Sequence, residues 1–296
     1  MNGPTRSGFI ALAGRPNVGK STLANAIVGA KVAIVSDKPQ TTRRAIRGVA
    51  SGPDWQLVLV DLPGVQRPRD TLTERMQRRV EHELADADGC LMVINAEQGL
   101  GPGDRFIAEQ LAGVSVPVVV AVNKVDRADR SRTAATLQAA ADLGLAEDIF
   151  PVSARNGHGV PALVERLVSL LPAGPFYFEA TQRTDQSEAV HLAELVREQV
   201  LSRTREEVPH AVEVEIEAIE QPREDLVRLE AVVLVETESQ KGILIGAGGR
   251  MIKAIGTGAR KAIERELGSQ VHLALSVRVR RHWRADARVL DRLGIE

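Results

Sequence analysis

Gly14-Arg-Pro-Asn-Val-Gly-Lys-Ser21 decides how the first half of this chain is interpreted. The stretch matches the pattern G-x-x-x-x-G-K-[ST], follows an apolar run at residues 9–13 and precedes a helical pattern at residues 22–28. Backbone N–H groups of such a loop surround phosphate oxygens, and the N-terminus of the following helix adds a favourable dipole. The stretch therefore predicts a phosphate-binding loop between a strand and a helix.

The segments beyond this loop predict the rest of an α/β nucleotide-binding domain. Amphipathic stretches separate short apolar runs that we interpret as buried strands, at residues 9–13, 57–60, 90–94, 116–122 and 149–152. Such alternation is typical of a mainly parallel sheet covered by helices. Two prolines and a glycine at residues 171–175 end the pattern. We therefore predict one domain over residues 1–175 and a second over residues 176–296.

Two further segments supply candidates for the metal and the terminal phosphate. Lys20 can reach the terminal phosphates, and the Ser21 hydroxyl can bind magnesium. Asp61-Leu-Pro-Gly64 ends an interior strand, where its carboxylate can approach the metal and its Gly64 amide the γ-phosphate. Taken alone, an Asp-x-Pro-Gly turn is ordinary loop chemistry, and only the upstream loop gives it this meaning.

A polar segment at residues 31–47 lies between the first helix and the second interior strand. Its threonines, Thr41 and Thr42, are candidates to contact magnesium and the γ-phosphate when GTP is bound. The segment would then be a switch that orders with GTP and relaxes after hydrolysis. An exposed threonine pair is otherwise commonplace, so the position in the chain carries this interpretation.

Base selectivity is predicted from Asn123-Lys-Val-Asp126, which follows the apolar run at residues 116–122. The Asp126 carboxylate can accept two hydrogen bonds from guanine that adenine cannot offer, which argues against an ATPase or a small-molecule kinase. Ser153-Ala154 can present a backbone N–H to the guanine carbonyl or can simply cap a helix. The residues expected to contact the nucleotide are Gly14, Arg15, Pro16, Asn17, Val18, Gly19, Lys20, Ser21, Thr22, Asn123, Lys124, Asp126, Ser153 and Ala154.

The second half of the chain segregates its charge. Residues 206–238 carry eleven acidic and two basic side chains, whereas residues 239–284 carry ten basic and two acidic ones. Helical and alternating patterns predict an α-β-β-α-α-β order, with Gly246-Ala-Gly-Gly249 between two helices. A basic region around a glycine turn favours a polyanion such as single-stranded RNA, although a flexible helix junction or an anionic lipid surface would give the same pattern.

Composition narrows the remaining classes of function. The single cysteine, Cys90, lies in an apolar run and predicts a small core residue rather than redox chemistry. No apolar run approaches the roughly 18 residues of a spanning helix, from which we expect a cytoplasmic protein. The six histidines lack the spacing of metal ligands, so a metal cluster is not expected.

Taken together, these motifs resemble the Era family of bacterial GTPases. The resemblance rests on residues 14–22, 40–43, 61–64, 123–126 and 153–154, and on residues 240–253 and 277–284, which are similar to the KH domain of that family. It implies an α/β P-loop GTPase domain with a mainly parallel sheet, followed by a smaller α+β KH-like domain of type II. It also implies a GTP-hydrolysing switch that binds the 3′ region of small-subunit ribosomal RNA and assists assembly of the small ribosomal subunit.

The same resemblance implies roles for individual residues. GTP or GDP and Mg²⁺ would be the bound groups, with Ser21, Thr42 and Asp61 at the metal and Lys20, Thr42 and Gly64 in catalysis. Asn17 matches an asparagine that helps to hold K⁺ in related GTPases, and a loop-stabilising asparagine explains it equally well. The residues implied in RNA binding are Lys241, Gly246, Ala247, Gly248, Gly249, Arg250 and Lys253. Family members also associate peripherally with the inner membrane.

Three departures from the usual pattern qualify these expectations. Ala247 and Gly248 occupy positions where the family often has a lysine, so the predicted RNA affinity depends on the flanking basic residues. Leu62 stands where threonine is frequent, which leaves the neighbouring carboxylate and glycine intact. Val65 stands where many regulatory GTPases have a glutamine that orients the attacking water, which predicts slow intrinsic turnover.

Overall fold

A computed structural model describes residues 5–38, 40–64, 70–146 and 148–295 of the chain. These residues form two compact units. The first unit contains the described parts of residues 1–33, 42–69 and 73–185, and the second those of residues 34–41, 70–72 and 186–296. The boundary at residue 175, expected from the sequence, stays a prediction.

The first unit is built on a six-stranded sheet of order β2-β3-β1-β4-β5-β6. Its strands are β1 (Arg6–Ala13), β2 (Ile46–Ser51), β3 (Trp55–Asp61), β4 (Gly89–Asn95), β5 (Val118–Asn123) and β6 (Ile149–Pro151). All neighbouring strands are parallel except β2 and β3, which are antiparallel. The mainly parallel sheet expected from the sequence is therefore present.

The helices of this unit are α1 (Lys20–Val28), α2 (Thr71–Asp86), α3 (Pro102–Leu111), α4 (Arg130–Ala141) and α5 (Val160–Leu170). They cover a sheet whose central strands are apolar on both faces. Every residue of β4 is buried, as a parallel strand between two helical layers requires. The sheet thus brings the C-terminal ends of β1, β3 and β5 to one edge, where the predicted motifs begin.

The edge strand β2 is absent from the sequence-based prediction, which assigns part of it to the polar segment at residues 31–47. Its sequence, Ile-Arg-Gly-Val-Ala-Ser, contains no run of apolar residues as long as those of the interior strands. Antiparallel pairing with β3 and burial of Val49 stabilise it. Tertiary pairing therefore decides this element where the local pattern does not.

The second unit contains a three-stranded sheet of order β7-β8-β9. Its elements are α6 (Glu188–Arg203), α7 (Val208–Ala211), β7 (Glu213–Arg223), β8 (Leu226–Val235), α8 (Glu238–Ile245), α9 (Arg250–Leu267), β9 (Gln270–Val279) and α10 (Ala287–Arg292). Strands β7 and β8 are antiparallel, and β8 and β9 are parallel. The expected α-β-β-α-α-β order is present, with the short helices α7 and α10 added.

A separate apolar core holds the second unit together. Leu195 and Val196 of α6 pack with Leu244 of α8, Ile255 of α9 and residues of the sheet. Trp283 is fully buried, and its indole N–H donates to the carbonyl of Ala211 over 2.9 Å. A buried indole with its donor satisfied adds both apolar contact and a fixed position. Among the described residues, no helix is both long and apolar enough to cross a membrane.

Candidate functional site

The loop between β1 and α1 packs tightly against the interior of the first unit. An added Cβ on Gly14 would lie 2.7 Å from the Val93 carbonyl oxygen and 3.0 Å from the Val18 side chain. Gly19, with φ of 102°, allows the turn into α1, and Asn17 also has a positive φ of 64°. Glycine at position 14 is therefore required by close approach to a neighbouring strand.

Lys20 lies inside the curve of this loop. Its Nζ donates to the carbonyl oxygens of Gly14, over 2.9 Å, and Arg15, over 3.2 Å, and the residue is 7% exposed. Burial lowers the pKa of Lys20 to about 8, and the nearby Asp61 carboxylate partly opposes that shift. The ammonium is thus held at the loop by weak neutral acceptors, which an anionic phosphate can replace.

Three oxygen-bearing side chains from separate segments meet beside the start of α1. The Ser21 Oγ lies 2.6 Å from the Asp61 Oδ2 and 3.2 Å from the Thr42 Oγ1, which is itself 3.4 Å from the Asp61 Oδ2. Burial raises the pKa of Asp61, although Lys20 and the two hydroxyls oppose the rise. The buried Asp61 Oδ1 has no hydrogen-bond partner among the described residues. Mg²⁺ prefers oxygen ligands, and this cluster offers hydroxyl oxygens together with a carboxylate oxygen that has no other partner among the described residues.

The structure separates the two candidate threonines. Thr42 joins the oxygen cluster and is 8% exposed, whereas the Thr41 hydroxyl donates to the Lys38 carbonyl over 2.6 Å. Of the pair, Thr42 is therefore the one placed to reach a metal at Ser21 and Asp61. This placement agrees with the role that the family resemblance implies for it.

Gly64 comes close to the phosphate-binding loop. An added Cβ there would lie 2.9 Å from the Pro16 Cγ and 3.1 Å from the Pro16 nitrogen, so a larger residue would displace one of the two turns. The Gly64 amide is thereby held beside the loop that is expected to bind the phosphates. Val65, on which the prediction of slow turnover depends, lies outside the described residues.

Asn123, at the end of β5, braces the phosphate-binding loop. Its Nδ2 donates to the Val18 carbonyl over 3.0 Å, and its Oδ1 accepts the Ala154 N–H, also over 3.0 Å. Both the nitrogen and the oxygen of the side-chain amide are thus hydrogen-bonded, and the residue is 1% exposed. The sequence motif assigns Asn123 to the nucleotide, and the structure gives it the additional role of joining the two halves of the site.

The other residues predicted to contact the guanine base lie around the accessible carboxylate of Asp126. The Lys124 Nζ donates to the Asn17 carbonyl over 2.6 Å, and the Ser153 hydroxyl donates to the Asp126 Oδ1 over 2.6 Å. Asp126 is exposed, so its carboxylate is available to a ligand. A carboxylate held in place by a hydroxyl can accept from two neighbouring donors, which is the arrangement that guanine presents.

Arg15 makes a contact that the motif does not indicate. Its Nε lies 2.8 Å from the Oδ1 of Asp104, whose side chain is fully buried at the start of α3, and its Nη2 approaches the Gly99 carbonyl over 3.5 Å. Its guanidinium therefore pairs within the first unit. Asp104 was not identified from the sequence, because its only local feature is that of a helix-capping residue that accepts the Gly101 N–H.

The second unit carries an open glycine turn between α8 and α9. Gly246, Gly248 and Gly249 have φ values of 69°, 60° and 76°. Added Cβ atoms on Gly248 and Gly249 would meet no heavy atom within 4 Å among the described residues, whereas one on Gly246 would lie 2.8 Å from the Met251 Cβ. The turn thus leaves its outer backbone accessible to a ligand.

Basic and apolar side chains surround this turn. Arg250 and Lys253 are exposed and Lys241 is half-buried, and the Arg250 Nε donates to the Ala247 carbonyl over 3.2 Å. Beside the turn, α9 and β9 form a groove of roughly 330 Å³ lined by Ile252, Lys253, Gly256, Thr257, Arg260, Leu273 and Leu275. A nucleic-acid strand fits this arrangement. The cationic side chains can attract its phosphates, the exposed turn lets its backbone approach closely, and the apolar groove can receive bases.

The apolar residues of α8 and α9 divide into two groups. Leu244 and Ile255 are fully buried in the core, whereas Ile243 and Ile245 are 49% and 37% exposed. The two helices therefore contribute apolar side chains both to the core and to the exposed surface.

Models of two protein families match the chain. One, described as a 50S ribosome-binding GTPase, matches residues 9–124, and the other, described as a KH domain, matches residues 207–284. These matches confirm the predicted fold class, a P-loop GTPase domain with a mainly parallel sheet followed by a KH-like domain.

Individual relatives are similar over nearly the whole chain. GTPase Era of Alkaliphilus metalliredigens is 43% identical, covering 98% of this chain and 99% of the relative, and that of Mycolicibacterium smegmatis is 44% identical, with 98% of both covered. A crystal structure of Era in complex with MgGDPNP and nucleotides 1506–1542 of 16S ribosomal RNA is 33% identical, with a TM-score of 0.94, and covers 98% of this chain and 99% of that chain. Aquifex aeolicus Era bound to GDP·AlF4⁻ has the same TM-score at 32% identity, and the same coverage.

Proposed function

Because this chain belongs to the GTPase Era family, we propose that it is a GTP-hydrolysing switch that binds the 3′ region of small-subunit ribosomal RNA and assists small ribosomal subunit assembly. The observation that carries the proposal is two glycine turns in one chain, each of which precedes a helix and has basic side chains beside it. The first lies at residues 14–21 and the second at residues 246–253.

In the first site, each group has a distinct task. Lys20 and the loop amides bind the phosphates of GTP, and the Asp126 carboxylate, held by Ser153, selects guanine. Ser21, Thr42 and Asp61 would hold Mg²⁺, which supplies positive charge against the transferring phosphoryl group. The Gly64 amide, held close to Pro16, donates to the γ-phosphate. These groups stabilise charge on the phosphates, which is most of what phosphoryl transfer requires.

In the second site, the open backbone of residues 246–249 accepts the sugar-phosphate chain of RNA. Arg250, Lys253 and Lys241 supply positive charge, and the groove between α9 and β9 receives bases. A structure with which this chain aligns over 98% of its length contains nucleotides 1506–1542 of 16S ribosomal RNA. This likeness supports the same RNA region as the ligand here, and it supports association with the small ribosomal subunit as part of the same proposal.

A binding titration tests the RNA assignment. The probe is a single-stranded RNA with the sequence of the 3′ region of 16S ribosomal RNA, and an RNA of the same composition in scrambled order is the control. We expect at least tenfold tighter binding of the natural sequence, as specific nucleic-acid sites typically give. Equal affinity for both RNAs would leave only general polyanion binding and contradict the proposed ligand.

We also propose that K⁺ binds beside the phosphates with help from Asn17, which lies in the loop before α1 and has a left-handed φ of 64°. GTP turnover in KCl should exceed turnover in NaCl at equal ionic strength, and Asn17→Ala should bring the ratio of the two turnover rates close to one. Equal wild-type turnover in the two salts would exclude a role for K⁺.

Peripheral association with the inner membrane is a further proposal, supported by the family resemblance and by the basic residues at 239–284. Co-sedimentation with vesicles of anionic and of zwitterionic lipids tests it. We expect binding to the anionic vesicles alone, and an equal lack of sedimentation with both kinds would contradict the proposal.

A further inference from the structure

Arg197 is a fully buried guanidinium on α6 of the second unit. Taking an ion of this size out of water costs several kcal/mol unless other groups pair with it. Two carboxylates do so. Glu194 makes contacts of 2.7 and 3.0 Å with the Nη2 and Nε, and the Glu213 Oε1 lies 3.8 Å from the Nε. Burial alone would lower the pKa of Arg197, but the two carboxylates outweigh it, and the group stays charged.

The same guanidinium reaches a segment far away in the sequence. Its Nη2 donates a hydrogen bond to the backbone carbonyl of Thr41, which belongs to the same compact unit as α6. The neighbouring residue of the helix, Glu198, accepts the Val35 N–H over 3.1 Å. Helix α6 therefore holds both ends of residues 35–41, the part of the predicted switch that precedes Thr42.

The hydrogen bond from Arg197 to Thr41 also restricts the orientation of Thr42, because the two residues share a peptide bond. The carbonyl of Thr41 and the N–H of Thr42 lie in one rigid peptide plane. Orienting the carbonyl toward Arg197 therefore also orients the first bond of Thr42. The Thr42 hydroxyl then lies 3.2 Å from the Ser21 Oγ and 3.4 Å from the Asp61 Oδ2. The hydrogen bond from Arg197 to the Thr41 carbonyl is charge-assisted, and such bonds are stronger than those between two neutral groups.

We propose that Arg197 is a positioning residue for GTP binding and hydrolysis, which holds the Thr41–Thr42 peptide so that the Thr42 hydroxyl stays with Ser21 and Asp61. The inference rests on the proposed metal site at these three residues. A purely structural role would confine the effect of Arg197 to the stability of α6 and β7.

Arg197→Lys is the test variant. It keeps a positive charge near both carboxylates but loses the planar guanidinium, which donates to Glu194 and Thr41 at the same time. Glu213→Gln is the matched control, since it disturbs the same buried cluster and Glu213 makes no contact with Thr41 among those described. Amide hydrogen exchange of Thr42 in nucleotide-free protein is the first readout. We expect roughly tenfold faster exchange in Arg197→Lys and little change in Glu213→Gln.

The second readout is the affinity for GDPNP compared with that for GDP, with magnesium present. Arg197→Lys should weaken GDPNP binding about tenfold relative to GDP, and should have no further effect in a Thr42→Ala background. Unchanged exchange and an unchanged GDPNP/GDP ratio would overturn the inference, as would equal changes in Glu213→Gln. If Arg197→Lys does not fold, Glu194→Met/Arg197→Met, which replaces the pair by apolar side chains, takes its place.

The two proposals fail in different ways. If Thr42→Ala leaves magnesium-dependent GDPNP affinity unchanged, the metal assignment is wrong. The exchange rate of the Thr42 amide still decides whether Arg197 holds the peptide.

Discussion

Two glycine turns in this chain precede a helix, yet they are built in opposite ways. The turn at residues 14–19 is closed from inside, because an added Cβ on Gly14 meets the Val93 carbonyl and Asn123 braces the Val18 carbonyl. The turn at residues 246–249 is open, because added Cβ atoms on Gly248 and Gly249 meet nothing within 4 Å among the described residues. Position 14 needs glycine for packing, whereas positions 248 and 249 need it for backbone conformation and access.

This difference fits two kinds of anion. A single nucleotide is recognised by a rigid site whose donors already point at fixed positions, and the first turn has Lys20, Asn123 and Asp126 arranged around it. A long polyanion is bound by exposed charge along an accessible surface, and Arg250 and Lys253 are exposed beside the second turn. Similar glycine patterns in a sequence can therefore serve opposite physical purposes.

The largest expected effect concerns base selection, which only the closed turn should possess. Asp126→Asn should lower GTP affinity on the order of 10³-fold, because an amide cannot accept from both guanine donors. Affinity for xanthosine triphosphate should rise, since the amide can donate to the oxygen that replaces the exocyclic amine. Competition binding measures both. Ser153→Ala, which removes the hydroxyl that donates to Asp126, should have a smaller effect, and wild-type protein that binds ATP as tightly as GTP would refute the assignment.

A second prediction compares the glycines themselves. Gly14→Ala should destabilise the first unit by about 3 kcal/mol, because the methyl group meets backbone that cannot move. Gly248→Ala should lower the free energy of unfolding of the second unit by only about 1 kcal/mol, because the alanine is strained by the left-handed backbone but meets no neighbouring atom. Urea unfolding separates the two effects, because the tryptophans Trp55 and Trp283 lie in different units and single-tryptophan variants report on each. Equal losses of unfolding free energy in the two variants would contradict the distinction between closed and open turns.

The smallest effects are expected at the exposed cations of the second turn. Arg250→Ala and Lys253→Ala should each weaken RNA binding severalfold and reduce the slope of log K against log salt by about one unit. Lys261→Ala is the matched control, because this exposed lysine lies on the same helix about 12 Å further from the turn. Titrations at several salt concentrations measure the slopes. An equal loss in all three variants would indicate diffuse attraction rather than contact at the turn.

The sequence predicts the parts of this site that lie close together along the chain. The residues from Gly14 to Ser21, and those from Asn123 to Asp126, follow apolar runs that locate them at strand ends, so their placement follows from the pattern. The antiparallel edge strand β2 escapes such reasoning, because its pairing with β3 stabilises a segment without a strong local pattern.

Long-range contacts are the other part that sequence reasoning misses. Arg15 pairs with buried Asp104, and Arg197 reaches Thr41 from 156 positions away. No local sequence pattern around these arginines predicts either contact. Only the packed structure shows that their charge is compensated and what they hold.

In the proposed function, the closed turn binds GTP and the open turn binds RNA. Ala247→Asp/Gly248→Asp tests it most directly, with Ala247→Asn/Gly248→Asn as an uncharged control of the same size. RNA binding and GTP binding are titrated in parallel on each variant. We expect the aspartates to lower RNA affinity by an order of magnitude or more, the asparagines to lower it less, and GTP affinity to stay unchanged. Unchanged RNA affinity in the aspartate variant would contradict it.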